Sequence, residues 1–389
     1  MSQVKIEVNP QILKWVYQLS LNTDLDEKNK EKLDDWINNK SNPTISQLRR
    51  ISKKLKFPFG YFFLSEVPKE NLELLNFRTV NNYEISNPSR DLIDVINHIE
   101  SKQVWLSETR RNQGFERNIF NGGFIKNGSK KNFQQVAEDI LKMLDLEIGW
   151  NIATTKDRFN LLKSRLENVG VTVMYSSYVI NNTRRKLNVD EFRAFAIADE
   201  YAPFIFINAN DSLNAKFFSL VHEMVHIWYG TSELYNDDFK SPSLEVTEQD
   251  INHVVECLLF PEKLVKEVWT SIGKDYDVLD KVDMFANDFG VSMFSAAIAL
   301  KNKGFITQNE VNEIRDNSNV TRKENKKNSS GGPNYYTVKV AHLSKDFISE
   351  VKRSADSGEI TYSKAFELTD VKNQKAYDNL LKKLKGNSI

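Results

Sequence analysis

The stretch FFSLVHEMVHIWYG, Phe217 to Gly230, places two of the chain's five histidines four residues apart, with a glutamate directly after the first. On an α-helix, positions i and i+4 share a face one turn apart, so His222 and His226 can aim ring nitrogens at one point. An isolated histidine usually just sits on a helix. A pair at this spacing with Glu223 beside it is a metal-ligand pattern. The apolar flanks Phe217, Phe218, Leu220, Val221, Val225, Ile227 and Trp228 suit a buried helix.

The chemistry that needs these residue types is metal-assisted hydrolysis. Zn²⁺ lowers the pKa of a coordinated water towards ~7, polarises a carbonyl, and leaves a position open when only three protein groups hold it. Glu223 is then placed as the general base. The third ligand has to come from elsewhere, and the acidic helix VTEQDINHVVECLLFP that follows is the nearest source. Glu245, Glu248, Asp250 and Glu256 compete on spacing, and periodicity does not separate them. Cys257 lies nine positions from Glu248 and reads as a buried small residue. His253, five positions from Glu248, points well away and stays out of the ligand set.

At 389 residues, with 40% hydrophobic residues, the chain can form two or three domains, each with a core. Lys+Arg and Asp+Glu both total 53, so no global field draws it to nucleic acid or an anionic membrane. A single cysteine excludes an intrachain disulfide framework. The N-terminus lacks the apolar core of a signal peptide, and no apolar run approaches a membrane span of about 20 residues. The expected protein is cytoplasmic, with no membrane partner.

Helical periodicity runs through most of the chain, while RAFAIAD and APFIFINAN, just before the histidines, are strands by composition. The fold class expected is α+β, mainly helical, with a small sheet against the histidine helix and a separate helical N-terminal domain. Thr44 and Gln47 form a capping-box signal, and the aromatic run FPFGYFFL is expected to close the N-terminal domain. The stretch Asn87 to Asn112 reads as a connecting helix. Phe289-Gly290-Val291-Ser292 reads as the joint of a helix-turn-helix-like pair that packs on the core. The polar, basic segment 319–334 is the clearest linker. The expected partition is 1–68 helical, 69–130 helical linker, 131–272 metal domain, 273–318 helical subdomain, 319–334 flexible linker and 335–389 C-terminal helices.

The run FIFINANDSLNAKFFSLVHEMVHIWYG, with EQDINHVVECLLFP after it, resembles the ImmA/IrrE family of zinc metallopeptidases. The resemblance implies a zincin-like sheet packed on the histidine helix, Zn²⁺ held by His222, His226 and a third glutamate, and Glu223 as catalytic base. In that family the second helix opens Glu-x-x-Ala-Asn, which maps the third ligand onto Glu248, with Asp250 the fallback. Asn252 matches; Ile251 stands in place of the alanine. Val225 replaces the family's glycine, and Val255-Glu256 replaces a pair of small residues, adding bulk near the site. By analogy, AFAIAD is the edge onto which an extended substrate docks, with an ordinary core strand as the alternative. LNFRT, Leu75 to Thr79, and the tail from GGPNYY onward resemble segments of the long, repressor-fused members. The implied function is limited, site-specific cleavage of a protein partner, with a transcriptional repressor linked to mobile elements or stress responses as the expected substrate.

Trp15 and Trp36 resemble the first- and third-helix markers of an XRE-like helix-turn-helix, but the interval is about five residues short for a full second helix. The intervening LNTDLDEKNKEKLDD would repel phosphate. The basic RRISKKLK, Arg49 to Lys56, has the spacing of a solvated helix face. The region is expected to be a degenerate helix-turn-helix used for protein contacts, with DNA as the alternative partner. A DNA-binding regulator or antitoxin-like protein with a structural or silent metal site is the alternative function.

Overall fold

The computed structural model describes residues 5–21, 25–55, 57, 59–67, 88–123, 132–153, 157–231, 246–273, 275–321 and 335–386. Glu245, the LNFRT segment and all but the first three residues of the 319–334 linker lie outside them.

Three helices, α1 (Pro10–Leu21), α2 (Glu27–Ile37) and α3 (Ile45–Leu55), form the N-terminal unit. Each starts on a local signal: Pro10 opens α1, Asp26 accepts from the Asn29 amide at the start of α2, and Thr44 and Gln47 cap α3 reciprocally. Their apolar faces bury Ile12, Val16, Leu33, Trp36, Leu48 and Ile51, and the turn Phe59–Phe63 adds Phe62 to this core. Lys54 of α3 pairs with the Asp26 cap, which ties the ends of α2 and α3 together.

A 23-residue helix follows, α4 (Arg90–Asn112), and then α5 (Phe133–Met143), the short α6 (Trp150–Ala153) and α7 (Arg158–Asn168). The strands are β1 (Thr172–Ser176), β2 (Tyr178–Val179), β3 (Asn182–Lys186), β4 (Ala194–Ile197) and β5 (Phe204–Asn208). Strand β5 is central, parallel to β1 and antiparallel to β4, and β2 and β3 pair separately. Because side chains alternate along a strand, this sheet serves two cores at once. Val173, Ala194, Ala196, Ile205 and Ile207 face the core that contains α8 (Leu213–Tyr229), the histidine helix. Met174, Phe195, Ile197, Phe204 and Phe206 face the other core.

That second core is completed by α4 and by the C-terminal helices α14 (Tyr335–Leu343), α15 (Lys345–Asp356), α16 (Tyr362–Leu368) and α17 (Gln374–Gly386). Leu92, Ile96 and Ile99 of α4 pack with Val340, Phe347, Ile348 and Val351 across the far face of the sheet. The helix read as a connector is therefore a wall of this core, shared with segments more than 200 residues away. Among the described residues no helix is long and apolar enough to cross a membrane.

On the near side of the sheet, α8 is enclosed by α9 (Glu248–Leu259), α10 (Glu262–Ser271), α11 (Val278–Phe289), α12 (Met293–Asn302) and α13 (Gln308–Thr321). The α11–α12 turn is held by buried polar groups. Arg158 donates to the carbonyls of Asn287 and Asp288, Asn151 donates to those of Leu259 and Phe289, and Asn214 reaches Val291. These bonds satisfy the last carbonyls of α11, which have no partner within the helix. Gly290 ends α11 at φ +71°, and a Cβ there would fall into the Arg158 guanidinium. Gly290→Ala is expected to cost roughly 2 kcal/mol, from left-handed strain and from displacing Arg158, as checked by chemical denaturation.

Candidate metal centre

The histidine helix is fixed at both ends by its own sequence. At the start, Asn208 is fully buried; its side chain donates to the Phe192 carbonyl and accepts from the Asn210 amide. Asn210 in turn donates to the carbonyls of Ser177 and Leu187, each at 2.8 Å. Ser212 then caps α8 by accepting from the Ala215 amide. The asparagine-rich turn thus clamps the end of β5 before the chain turns back as a helix. At the other end, Gly230 adopts the left-handed conformation that terminates α8.

The second contributing helix, α9, starts at a reciprocal capping box. Thr247 accepts from the Asp250 amide, and the Asp250 carboxylate takes the Thr247 amide at 2.8 Å and its hydroxyl at 2.7 Å. These bonds hold the Asp250 carboxyl below its usual range. Ile251, Val254, Val255 and Leu258 anchor α9 in the same core as α8. Glu248 is left in the first turn, where the exposed amides of a helix N-terminus favour negative charge.

These constraints bring His222, His226 and Glu248 together. The two Nε2 atoms are 3.2 Å apart, His222 Nε2 is 3.6 Å from Glu248 Oε2, and His226 Nε2 is 3.4 Å from Glu248 Oε1. A tetrahedral zinc with ligands at 2.0–2.1 Å separates its donor atoms by about 3.3 Å, so this spacing fits such an ion. Two imidazoles and one carboxylate are also a donor set that zinc accepts. His226 and Glu223 are buried, while His222 and Glu248 are only partly so, leaving one side of the group open.

Thr231, which the sequence reading did not single out, contacts the other ring nitrogen of His226. The Thr231 hydroxyl donates to the His226 carbonyl at 3.2 Å, so its lone pair is available to Nδ1 of the same histidine at 3.1 Å. With the proton on Nδ1, this contact is a donated hydrogen bond and Nε2 keeps its lone pair for the shared point. The available signal was a hydroxyl residue just past the helix-ending glycine, one turn beyond the second histidine.

The competing acids are placed elsewhere. Asp250, the fallback ligand, is committed to capping α9 and does not join the group. Glu256 sits 3.5 Å from Lys303 and accepts from Asn302. His253 stacks on Phe133 with ring centroids 4.9 Å apart. Cys257 is half-buried, its thiol pKa raised by desolvation. Val225 is completely buried in the core, so its bulk is absorbed there. Val255 does border a pocket of about 370 Å³ between α9 and α12, lined also by Phe218, Gln249, Phe260 and Ile298. Phe218 stacks on His222 and Gln249 follows Glu248, so this pocket opens beside the ligand group. Strand β4 is at the sheet edge, but Phe195 and Ala196 have no exposed area at all. The expected docking of an extended peptide along AFAIAD is therefore not available; β4 is a core strand.

Thr231→Val should lower zinc affinity by about 10- to 100-fold in a chelator competition, with the fold retained, because His226 loses the group that orients it. Asp250→Ala should leave zinc stoichiometry intact and cost about 1 kcal/mol by loss of the cap, whereas Glu248→Ala should abolish stoichiometric metal; metal analysis and thermal unfolding separate the two.

Residues 166–301 match the family model Peptidase_M78, described as the IrrE N-terminal-like domain. No curated protein and no solved structure matches the chain. The matched segment contains both histidines, Glu223 and Glu248, as well as the sheet and the α11–α12 pair. It supports a metallopeptidase of the ImmA/IrrE type.

Proposed function

We propose that the protein is a zinc-dependent endopeptidase that makes limited, site-specific cuts in a protein partner, with a transcriptional repressor as the substrate class. The observation that carries this reading is the convergence of His222 Nε2, His226 Nε2 and the Glu248 carboxylate, with Oε2 3.6 Å from His222 and Oε1 3.4 Å from His226, at a spacing suited to one ion. The family match over 166–301 supports the same class of chemistry.

A bound zinc supplies Lewis acidity, polarising the scissile carbonyl and making water a nucleophile near neutral pH. The chain's own residues do the rest. His222, His226 and Glu248 hold the ion, and Thr231 keeps the His226 ring in its ligating tautomer. Glu223, buried on α8 next to His222, takes the proton from the attacking water and returns it to the leaving amine. The half-exposed side bordered by His222 and Glu248 admits the substrate. The pocket between α9 and α12 receives a side chain flanking the cut bond; its lining is mostly apolar, which favours a bulky hydrophobic residue there.

The N-terminal helices fit a role in protein contacts. Helix α2 intersperses Glu27, Glu31, Asp34 and Asp35 with three lysines, and the basic groups of α3 are partly engaged at home: Lys54 pairs with Asp26 and Arg49 lies over the Phe59 ring at 5.3 Å. This unit is a degenerate helix-turn-helix that presents the protease to its partner.

Glu223→Gln is expected to keep one zinc per chain while cleavage falls by about 10²- to 10⁴-fold. The measurement is co-expression with the repressor-like product of a neighbouring gene, followed by mapping of the cut. An unchanged cut in the Glu223→Gln variant, with zinc still bound, overturns the peptidase reading.

A further inference from the structure

Three of the five histidines take no part in the metal centre, and two of them, His98 and His342, line a second cavity on the opposite side of the sheet. Met174 and Phe206, which point away from α8, form its wall, and it lies between α4, the turn after β2, α14 and the loop after α16. About 50 Å³ of space is enclosed there.

Two lysines approach this cavity around one carboxylate, and burial lowers the pKa of the inner one, Lys102. Lys102, on α4, is fully buried; it donates to the Leu368 carbonyl and lies 3.2 Å from Asp370. Asp370 also takes His98 Nε2 at 2.8 Å, so its single negative charge already serves two partners. Lys339, on α14, is only 8% exposed. It donates to Asn181 Oδ1 at 2.8 Å and lies 5.8 Å from the Tyr335 ring centroid, but among the described residues no carboxylate forms an ion pair with it. The Asn181 amide nitrogen is itself bonded to the Asp370 carbonyl, which fixes its oxygen toward Lys339. Of the two lysines, only Lys102 contacts the buried Asp370 carboxylate; Lys339 lies in its field without touching it.

Burying a charge is costly, and burial pushes the Lys339 pKa down to about 8 against the opposing field of Asp370. At pH 7 the ammonium form still predominates. His342, pushed down to about 4 by burial and by the ammonium groups of Lys339, Lys163 and Lys216, is neutral. It adds no positive charge and leaves one ring N–H to donate. Space beside a buried cation that no carboxylate contacts among the described residues is the arrangement expected of an anion site.

We propose that this cavity binds one small oxyanion group, a phosphate or a carboxylate, as counter-charge to Lys339, with Lys102 and neutral His342 as further partners. Its occupant joins α4, the far face of the sheet and the C-terminal helices, so binding stabilises that half of the molecule. The site is independent of the peptidase reading.

The test uses the full chain in chloride buffer at fixed ionic strength, with inorganic phosphate or acetate replacing chloride. Thermal unfolding and calorimetric titration are read for each. One site per chain and a midpoint that rises with anion concentration are expected, and the responding anion tells phosphate from carboxylate; a response to both supports a site for either. Lys339→Met should weaken the affinity at least tenfold. Asn181→Asp, which places a carboxylate on Lys339, should abolish the response, and it serves where Lys339→Met does not fold. Both positions lie across the sheet from the metal ligands, so anion binding to zinc survives these changes and is told apart. No stabilisation beyond chloride, or a response unchanged in both variants, overturns the proposal.

Discussion

Everything near the metal centre depends on a carboxylate from one helix meeting two imidazoles from another within 3.2–3.6 Å. Such a group is unfavourable without an ion or a proton between its members, so the elements that carry it have to be held rigidly. Helix α8 is held by the sheet beneath it, by the Asn208–Asn210 clamp and by Gly230. Helix α9 is held by its capping box, by its apolar face and by Asn151, which ties its C-terminal end to that of α11. The polar residues in this region therefore act mostly on backbone carbonyls and amides at the ends of elements, where a helix or strand cannot satisfy itself.

What the sequence revealed follows from the range of each signal. Helix α8 was legible because one stretch carried its apolar flanks, its metal-ligand spacing and its closing glycine. The acid that joins the two histidines was not separable by periodicity, since Glu248 and Asp250 both open the same helix. A local rule would have separated them: Thr247 and Asp250 stand in capping-box spacing, as Thr44 and Gln47 do, and a carboxylate bonded to its own helix cap is not free to ligate. The sheet order and the burial of β4 were beyond reach, because they depend on which strands neighbour one another in space. Alternation within FIFIN cannot show that both of its faces are covered.

The α11–α12 pair shows how a local motif acquires meaning from its surroundings. Its joint has the form of a helix-turn-helix, with Gly290 ending one helix and Ser292 capping the next. Yet the joint is gripped by Arg158, Asn151 and Asn214, and Ala296, Ala297, Ala299 and Leu300 of the second helix are buried in the metal-domain core. Reading a groove of DNA requires the second helix to stand out from its own protein. Here its inner face is occupied by packing, and its outer residues line the pocket beside the ligand group, which makes the pair a wall of the site.

The sheet imposes a final consequence. Because, among the described residues, it is three strands wide with both faces buried, each strand residue belongs to one of two cores, and neighbours such as Phe206 and Ile207 serve opposite sides. A one-residue slip of β5 would exchange the two sets and dismantle both cores together. The candidate ligand histidines on α8 and the buried lysines of α4 and α14 are thus positioned against the same thin wall from opposite directions. Tightening the helical layer on the far face constrains β5, and β5 runs directly into the asparagine clamp that starts the histidine helix. The C-terminal helices, though remote in sequence from every ligand, are by this route part of what holds the ligands in place.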